Sequence, residues 1–373
     1  MKHKKLFVIS LSVAALLALF AVAWLQGATP TPTYNLLATI AVPGGLIQFD
    51  ITQVDPQARR FYLADAGTSK GAGRVDVIDT QTNKYLYGIP AIGSQNNALG
   101  FAGFTGMRQK NGPNGIALIP DLNQIYAGDG DNSVKVVDLA NRAIIATIPL
   151  GGINRADELA YDPLDHIVMV GTPGDPQPFL TFISTVTQTV LGKYTYPVTQ
   201  AIANGGGLEQ PVWNPLDDKF YISVPATNTG TGSIDVFDPV KMTLVRSIPQ
   251  NICSPAGLVI TPYQHLMTSC GVIVDARSGN TIASINGVAG DQIWYNPGDN
   301  RYYFGNANLA AVDAETRQLI IANNARSPYL PSPGGHTVGV DPNNNHIFAP
   351  VTATANQDCR DPGTGCIKVF GVM

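Results

Sequence analysis

The sequence predicts an all-β protein, a seven-bladed β-propeller whose last blade is closed by the N-terminal strand. Three observations support this fold class: seven copies of a strand–turn–strand pattern, a second strand pair after most copies, and chain ends that complement each other. Repeats that each form one small antiparallel sheet are typical of propellers, whose blades surround a central channel. The 38 glycines and 27 prolines in 373 residues suit many short turns.

Each copy contains a strand, a turn with proline, and a second strand. Most copies are followed by a β-branched strand, an Asp or Ser turn and another strand, as in residues 132–149, NSVKVVDLANRAIIATIP. Alternating apolar residues predict strands, and Asp or Asn in a turn binds nearby backbone N–H groups. Each unit therefore has four antiparallel strands, A to D. The turn prolines are Pro56, Pro120, Pro163, Pro215, Pro262, Pro297 and Pro342.

The two chain ends are predicted to share the seventh blade. After the seventh A–B pair, residues 366–373 (CIKVFGVM) supply a strand C and no strand D follows. Residues 34–43 (YNLLATIAVP) resemble the other D strands. Pairing these segments removes two exposed sheet edges. We therefore expect residues 34–373 to form one closed domain, which needs no partner to cover its edges and is expected to be a monomer.

The repeat resembles the YVTN-type propeller repeat. The resemblance rests on the proline turn, on FYLAD (61–65) or IYAGD (125–129), on VDVID (75–79), and on D strands that end in IP. It covers essentially the whole chain after residue 33. The resemblance implies the fold but no particular chemistry, because propellers serve as binding modules, structural proteins and enzymes.

The N-terminus is predicted to be a targeting segment. Three lysines precede the apolar run 6–25, and residues 21–23 (AVA) have the small-x-small pattern of a signal-peptidase site. The run is also long enough to span a bilayer uncleaved. Residues 1–25 are therefore a signal peptide or an N-terminal membrane anchor, followed by a linker at 26–33. We expect an exported protein, periplasmic or extracellular, that contacts a membrane only through this anchor.

The cysteines form two close pairs, Cys253 with Cys270 and Cys359 with Cys366. Export permits disulfides, and the second pair brackets RDPGTG, a stretch suited to a hairpin turn. We predict two local disulfides, with four buried thiols as the alternative. Neither spacing resembles a zinc or haem site. No nucleotide or flavin motif is present, and the net charge of -4 excludes the basic footprint of a nucleic-acid-binding protein.

A ring of polar residues is predicted at one mouth of the central channel. Counting back six residues from each proline gives one position per repeat at the head of strand A, the innermost strand. These residues, here called the channel-mouth ring, are Asp50, Asn114, Asp157, Glu209, Ala256, Asp291 and His336. The residues that follow them are Ile51, Gly115, Glu158, Gln210, Gly257, Gln292 and Thr337. Buried charges must face water, pair with each other or bind a ligand.

One interpretation of this ring is a Ca²⁺ site, since carboxylate and amide oxygens from several strands suit a hard cation. PNG (113–115) and LEQPVW (208–213) are similar to motifs of the SMP-30/gluconolactonase-like and paraoxonase-like calcium-dependent propellers, although SMP-30 proteins have six blades. That resemblance implies a lactonase-like hydrolase in which Asp157, Glu158 or His336 activates water. The metal ligands predicted in this interpretation are Asp50, Asn114, Asp157, Glu209 and Asp291.

The other interpretations need no metal. The ring could bind a polar ligand, with the amides of Asn114, Gln210 and Gln292 contributing, or it could be a wet channel with solvated acids. The favoured function is an exported binding or scaffold module of the envelope for a small molecule, a glycan or a protein. Insertions at 93–113, 196–211 and 326–335 are expected over the same mouth, where Phe101, Phe104, Met107 and Arg108 could cover it.

Overall fold

A computed structural model describes residues 34–92, 99–197, 207–225, 232–306, 309–321, 335–353, 359 and 363–372. The predicted targeting segment (1–25) and linker (26–33) lie outside these residues. The described chain forms seven four-stranded antiparallel sheets, which confirms the all-β, seven-bladed propeller. The helices within the described ranges are two 3-10 turns, Arg108–Lys110 and Pro120–Leu122. No helix among the described residues is long and apolar enough to cross a membrane.

Consecutive strands form each of the first six blades, with strand A innermost and strand D outermost. Blade 1 contains β2 (Gln48–Asp55), β3 (Arg60–Gly67), β4 (Arg74–Asp79) and β5 (Lys84–Ile89). Blade 2 contains β6 (Ile116–Ile119), β7 (Gln124–Gly128), β8 (Ser133–Asp138) and β9 (Ala143–Pro149). Blade 3 contains β10 (Leu159–Asp162), β11 (Ile167–Thr172), β12 (Phe179–Ser184) and β13 (Thr189–Thr195).

The remaining blades follow the same plan. Blade 4 contains β14 (Pro211–Asn214), β15 (Lys219–Val224), β16 (Gly232–Asp238) and β17 (Thr243–Gln250). Blade 5 contains β18 (Leu258–Ile260), β19 (His265–Thr268), β20 (Val272–Asp275) and β21 (Thr281–Ser284). Blade 6 contains β22 (Ile293–Asn296), β23 (Arg301–Phe304), β24 (Ala310–Asp313) and β25 (Leu319–Ile321). Blade 7 contains β26 (Gly339–Asp341), β27 (His346–Val351), β28 (Cys366–Val372) and β1 (Tyr34–Ala41).

The N-terminal strand closes the ring as predicted. Strand β1 pairs with β28 antiparallel from Tyr34 opposite Val372 to Ala41 opposite Cys366. The innermost strands then contact one another in an unbroken circle, with β2 touching both β6 and β26. This pairing covers the outer edge of the last C strand, so the seventh blade is completed by both ends of the domain.

The hydrophobic core lies between the blades. Seven clusters of buried side chains each combine residues of two neighbouring blades, and together they cover all seven junctions. At the closing junction, for example, Phe61 of blade 1 stacks on Phe348 of blade 7 with ring centroids 5.0 Å apart. Each blade therefore has two apolar faces, which explains the β-branched and aromatic residues along the strands.

The turns use the polar residues that the repeats predict. Asp55, at the end of β2, accepts backbone hydrogen bonds from Gln57 and Ala58 at 2.9 Å each. Asp79 does the same at the C–D turn for Gln81 and Thr82. These side chains accept the hydrogen bonds of backbone N–H groups that find no backbone partner in a tight turn. Because each contact spans only two or three residues, the turns can be predicted from the sequence.

Both predicted disulfides are confirmed. Cys253 pairs with Cys270 at a Cα–Cα distance of 6.0 Å, and Cys359 pairs with Cys366 at 5.8 Å. The second disulfide and Val351 form a small buried cluster beside β28. Two intrachain disulfides indicate that the protein folds in an oxidising compartment.

Candidate functional site

A polar cavity of about 220 Å³ lies at the mouth of the channel where the A strands begin. Five carboxyl groups, two guanidinium groups and one imidazole line it, together with Gln48 and Phe49. The ionisable residues are Asp50, Asp157, Glu158, Glu209, Asp291, Arg108, Arg155 and His336. Four ring acids, the ring histidine and Glu158 therefore meet in one cavity, as their repeat positions suggested.

Arg155 joins the ring acids. Its guanidinium is buried, with Nη2 2.6 Å from Asp157 Oδ2 and Nη1 3.1 Å from Asp50 Oδ2. Nη1 also donates to Asn114 Oδ1 at 3.4 Å. Although burial alone favours loss of the charge, the carboxylates of Asp157 and Asp50 raise the pKa of Arg155 above its usual value. The residue is thus a fixed cation that connects blades 1, 2 and 3.

His336 is held on the opposite side of the same carboxyl group. Its Nε2 lies 3.1 Å from Asp50 Oδ1, and its ring stacks on Phe49 with centroids 5.2 Å apart. Burial opposes the charged imidazole, but the hydrogen bond to Asp50 together with the negative charges of Asp50 and Asp291 raises the pKa of His336. Burial likewise opposes ionisation of Asp50, but His336 and Arg155 lower its pKa. Asp50 is therefore an ionised carboxylate held between the Arg155 guanidinium and the His336 imidazole.

The other carboxyl groups are less well paired. Burial raises the pKa of Asp157 to about 7 in spite of Arg155. Burial and then the charge of Glu209 raise the pKa of Glu158 well above its usual value. Burial and then the charges of Asp157 and Asp291 raise the pKa of Glu209 well above its usual value. The pKa of Asp291 is raised chiefly by desolvation. These groups hold protons more tightly than free carboxyls because desolvation and like charges disfavour their ionised form.

Glu158 is the most isolated of these groups. The residue is only 6% exposed, its carboxyl lines the cavity, and no side chain or backbone group in the described part of the chain hydrogen-bonds to it or pairs with its charge. A buried carboxyl without a partner is costly in either protonation state. The cavity therefore contains an unused acceptor that a bound group could satisfy.

The three predicted ligand-binding amides do not line this cavity, and the described protein satisfies each of them. Asn114 donates to the carbonyl oxygens of Asn111 at 2.9 Å and Ala156 at 3.3 Å. Gln292 accepts a hydrogen bond from the Thr337 hydroxyl. The Gln210 carboxamide crosses the channel to blades 5 and 6, where its Oε1 accepts from two backbone N–H groups at 3.0 Å.

Gln210 also borders a second cavity of about 420 Å³ along the channel. That cavity is lined mainly by apolar side chains of the A strands, including Leu159, Val212 and Trp213. The channel thus has a charged mouth and an apolar interior.

The predicted calcium donor set does not fit a single bare cation in this arrangement. Three of its five members, Asp50, Asn114 and Asp157, are bound to the Arg155 guanidinium, which brings positive charge to where the ion would sit. Among the described residues, the group of three metal-ligating side chains within 4.8 Å of one another lies at the opposite end of the A strands. We derive no step through a ring-bound metal.

The loop before blade 2 is only partly a cover. Arg108 lines the cavity, whereas Phe101 is buried in the core between blades 1 and 2, and Met107 is 62% exposed. The structure does not describe all of the predicted insertions. The ranges outside the described residues are 93–98 of the first insertion (93–113), 198–206 of the second (196–211) and 326–334 of the third (326–335).

Sequence reasoning missed Arg155, together with Gln48 and Phe49. A signal for Arg155 was present, because it stands two residues before the ring acid Asp157. The equivalent residues of the other repeats are Gln48, Gly112, Gly207, Ser254, Ala289 and Gly334, none of them basic. A single arginine in a column of small or neutral residues could have predicted a fixed counter-charge.

Neither the protein-family models nor the curated proteins give a match to this chain. The similarity to YVTN-type repeats and to calcium-dependent propellers therefore stays a prediction from motifs. The chain is a seven-bladed, disulfide-bonded β-propeller with a charged cavity at one mouth of its channel.

Proposed function

We propose that the protein is a periplasmic or extracellular binding module, and that its ligand is a small molecule carrying an amine or similar organic cation. The observation that carries the proposal is the buried, unpaired carboxyl of Glu158 in the charged cavity. An ammonium group would supply the hydrogen bonds and the opposite charge that the described residues do not provide.

The charge balance of the cavity supports a cationic ligand. Arg155 is already neutralised by Asp50 and Asp157, and His336 is bound to Asp50. Three carboxyl groups of the cavity remain without a cationic partner: Glu158, Glu209 and Asp291. The other cation that lines the cavity, Arg108, is exposed at its rim. A cation entering the cavity therefore meets three carboxyl groups that form no salt bridge among the described residues, and it can replace the protons that their raised pKa values retain.

The size of the cavity supports a small ligand. Its volume of about 220 Å³ is below the range of roughly 300–1,000 Å³ typical of sites for drug-sized molecules. Phe49 and the His336 ring, stacked with centroids 5.2 Å apart, form part of its wall and limit its width. A large glycan or a protein would have to bind through an extended part that reaches into this space.

The test is calorimetric titration of the full chain with methylamine, putrescine, choline, glucose and Ca²⁺. We expect at least one organic cation to bind, glucose not to bind, and Glu158→Gln to reduce the affinity about tenfold or more through loss of a charged hydrogen bond. The matched control is Asp121→Asn, which changes an acid on an A–B turn outside the cavity.

Two results would refute the proposal: no organic cation binding more tightly than glucose, or Glu158→Gln leaving the affinity unchanged. The alternative function, a lactonase-like hydrolase, is tested by measuring the hydrolysis of a panel of lactones in the same samples. Activity lost in Glu158→Gln and Asp157→Asn, without amine binding, would favour that function instead.

A further inference from the structure

Three carboxyl groups converge where the A–B turns of blades 3 and 4 meet. Asp162 ends β10, Asp165 lies in the turn that follows it, and Asp218 lies in the turn after β14. Each offers an oxygen within 4.8 Å of the other two. These turns follow the A strands, whereas the channel-mouth ring precedes them, so the cluster is separate from the charged cavity.

One oxygen of this cluster is buried and has no partner. Asp162 is fully buried, and its Oδ1 accepts the backbone N–H of Leu164 at 2.8 Å and of Asp165 at 3.2 Å. Its Oδ2 is also buried but receives no hydrogen bond from any described residue. The Asp162 carboxyl therefore lies beside two further carboxyls with one oxygen unsatisfied, an arrangement that needs a proton or a cation to be stable.

The other blade junctions show how the same positions are normally satisfied. At two of them, the residue before the turn proline contacts the left-handed residue in the next blade's A–B turn. Between blades 4 and 5, Asn214 Nδ2 donates to Gln264 Oε1 at 2.8 Å, and Gln264 Nε2 donates back at 3.0 Å.

Between blades 6 and 7, Asn296 Nδ2 donates to Asn345 Oδ1 at 2.9 Å. Those two junctions are joined by amides, which both donate and accept. Between blades 3 and 4, both positions are aspartates, Asp162 and Asp218, and ionised carboxylates only accept.

Among the described residues, no cationic side chain forms a salt bridge with these three carboxyls. Lys219 follows Asp218, but its Nζ donates to the Asp218 backbone oxygen at 2.9 Å and lies 3.5 Å from Asp238 Oδ2. The Asp218 side chain accepts one neutral donor, Trp213 Nε1, at 3.1 Å.

We propose that Ca²⁺ binds at this junction and links blades 3 and 4 through Asp162, Asp165 and Asp218. Three carboxylates from two turns form the all-oxygen donor set that Ca²⁺ prefers, with water completing a shell of six to eight ligands. Asp165 is exposed, which leaves the solvent side open for those waters. The ion takes the place of the amide pair found between blades 4 and 5 and between blades 6 and 7, so its role is to hold neighbouring blades together.

The test uses chelator-treated full-length protein and measures its melting temperature against Ca²⁺, with NaCl matched for ionic strength. We expect a saturable rise in the melting temperature, as for any ligand of the folded state. Asp218→Asn should raise the Ca²⁺ concentration at half-effect about tenfold or more, because losing even an outer-shell partner of a metal ligand costs that much.

A matched double variant separates the metal from the fold. Asp162→Asn with Asp218→Gln recreates the amide pair of the blade 4–5 junction, so it should remain folded without Ca²⁺ and lose the Ca²⁺-dependent rise. Terbium, bound in place of Ca²⁺, gives a second measurement, because Trp213 contacts Asp218 and can sensitise its luminescence. We expect sensitised emission in wild type and its loss in the double variant.

The proposal is overturned if Ca²⁺ gives wild type no more stability than the matched NaCl, or if the double variant keeps the full rise. Glu158→Gln serves as the control for the other mouth of the channel and should leave the Ca²⁺ effect unchanged. A Ca²⁺ effect lost in Glu158→Gln but kept in the double variant would assign the ion to the channel-mouth ring and also refute this site. Failure of amine binding leaves the experiment unaffected.

Discussion

Replacing Arg155 with methionine should destabilise the protein strongly. The change keeps a side chain of similar length but removes the cation between Asp50 and Asp157. Both carboxyls then lose the guanidinium that contacts them, and His336 remains the partner of Asp50. Since these residues belong to blades 1, 3 and 7, the loss affects the packing of the whole ring.

The expected magnitude follows from the geometry. Arg155 is 5% exposed and contacts two carboxylates at 3.1 and 2.6 Å. Breaking a buried ion pair by removing one partner costs about 3–5 kcal/mol, because it leaves an uncompensated charge. The control is Lys241→Met, which removes a surface lysine 3.6 Å from Asp238 and 77% exposed. An exposed pair of this kind contributes about 0–1 kcal/mol.

The cost should also depend on pH. Without Arg155, the pKa of Asp157 in the folded state rises beyond its present value of about 7, further above that of the unfolded chain. A carboxyl with a raised folded-state pKa stabilises the fold below its unfolded pKa of about 4, and that contribution is lost as pH rises through the folded pKa. The variant should therefore lose more stability relative to wild type at pH 8 than at pH 5.

Urea unfolding followed by tryptophan fluorescence at pH 5 and pH 8 measures both effects. Equal slopes for wild type and variant would show that the difference in midpoint reflects stability. A cost for Arg155→Met no larger than for Lys241→Met would contradict the structural role given to the guanidinium. A cost that is larger at pH 5 than at pH 8 would contradict the assignment of the charges.

Three further predictions follow from the structure. Affinity for the amine ligand should increase from pH 5 to pH 8, because binding displaces protons from two carboxyl groups with raised pKa values. These are Glu158 and Asp157, and the pKa of Asp157 is about 7. Calorimetry that shows no proton release on binding would contradict this prediction. Removing the Cys253–Cys270 disulfide by alanine substitution should cost about 3 kcal/mol for its 17-residue separation, as urea unfolding would measure. Deleting residues 34–41 should abolish cooperative thermal unfolding because β28 loses its outer partner strand and the seventh blade is left with three strands, whereas deleting only the preceding residues should not.

Much of the fold could be predicted because the relevant information is local. Turn prolines, the aspartates that accept backbone hydrogen bonds, and alternating apolar residues mark each strand pair within about 20 residues. The pairing of β1 with β28 is not local, but it followed from a missing D strand at one end and a spare one at the other. Residues 290–306 (GDQIWYNPGDNRYYFGN) are an example. Residues 293–296 and 301–304 form β22 and β23 on either side of the turn predicted around Pro297.

The candidate site was predicted in position but not in its interactions. Alignment of the repeats brought Asp50, Asp157, Glu209, Asp291 and His336 to one mouth, and all five line the cavity. The sequence did not indicate that a guanidinium would stand among them. Nor did it show that the predicted amides would be used for contacts within the propeller. A repeat alignment compares equivalent positions, whereas a charge network joins positions that are not equivalent.

The amino-acid sequence alone was sufficient for the number of blades, the strand order, the ring closure and the disulfides, because each depends on periodicity or on short spacings. Only the folded ring decided which charged groups meet. Arg155 is 105 residues from Asp50, and His336 is 286 residues from it, yet one carboxyl contacts both. Asp162 and Asp218 belong to different repeats and meet only because blades 3 and 4 pack side by side. Contacts between blades depend on the curvature of the closed ring, which no single repeat encodes.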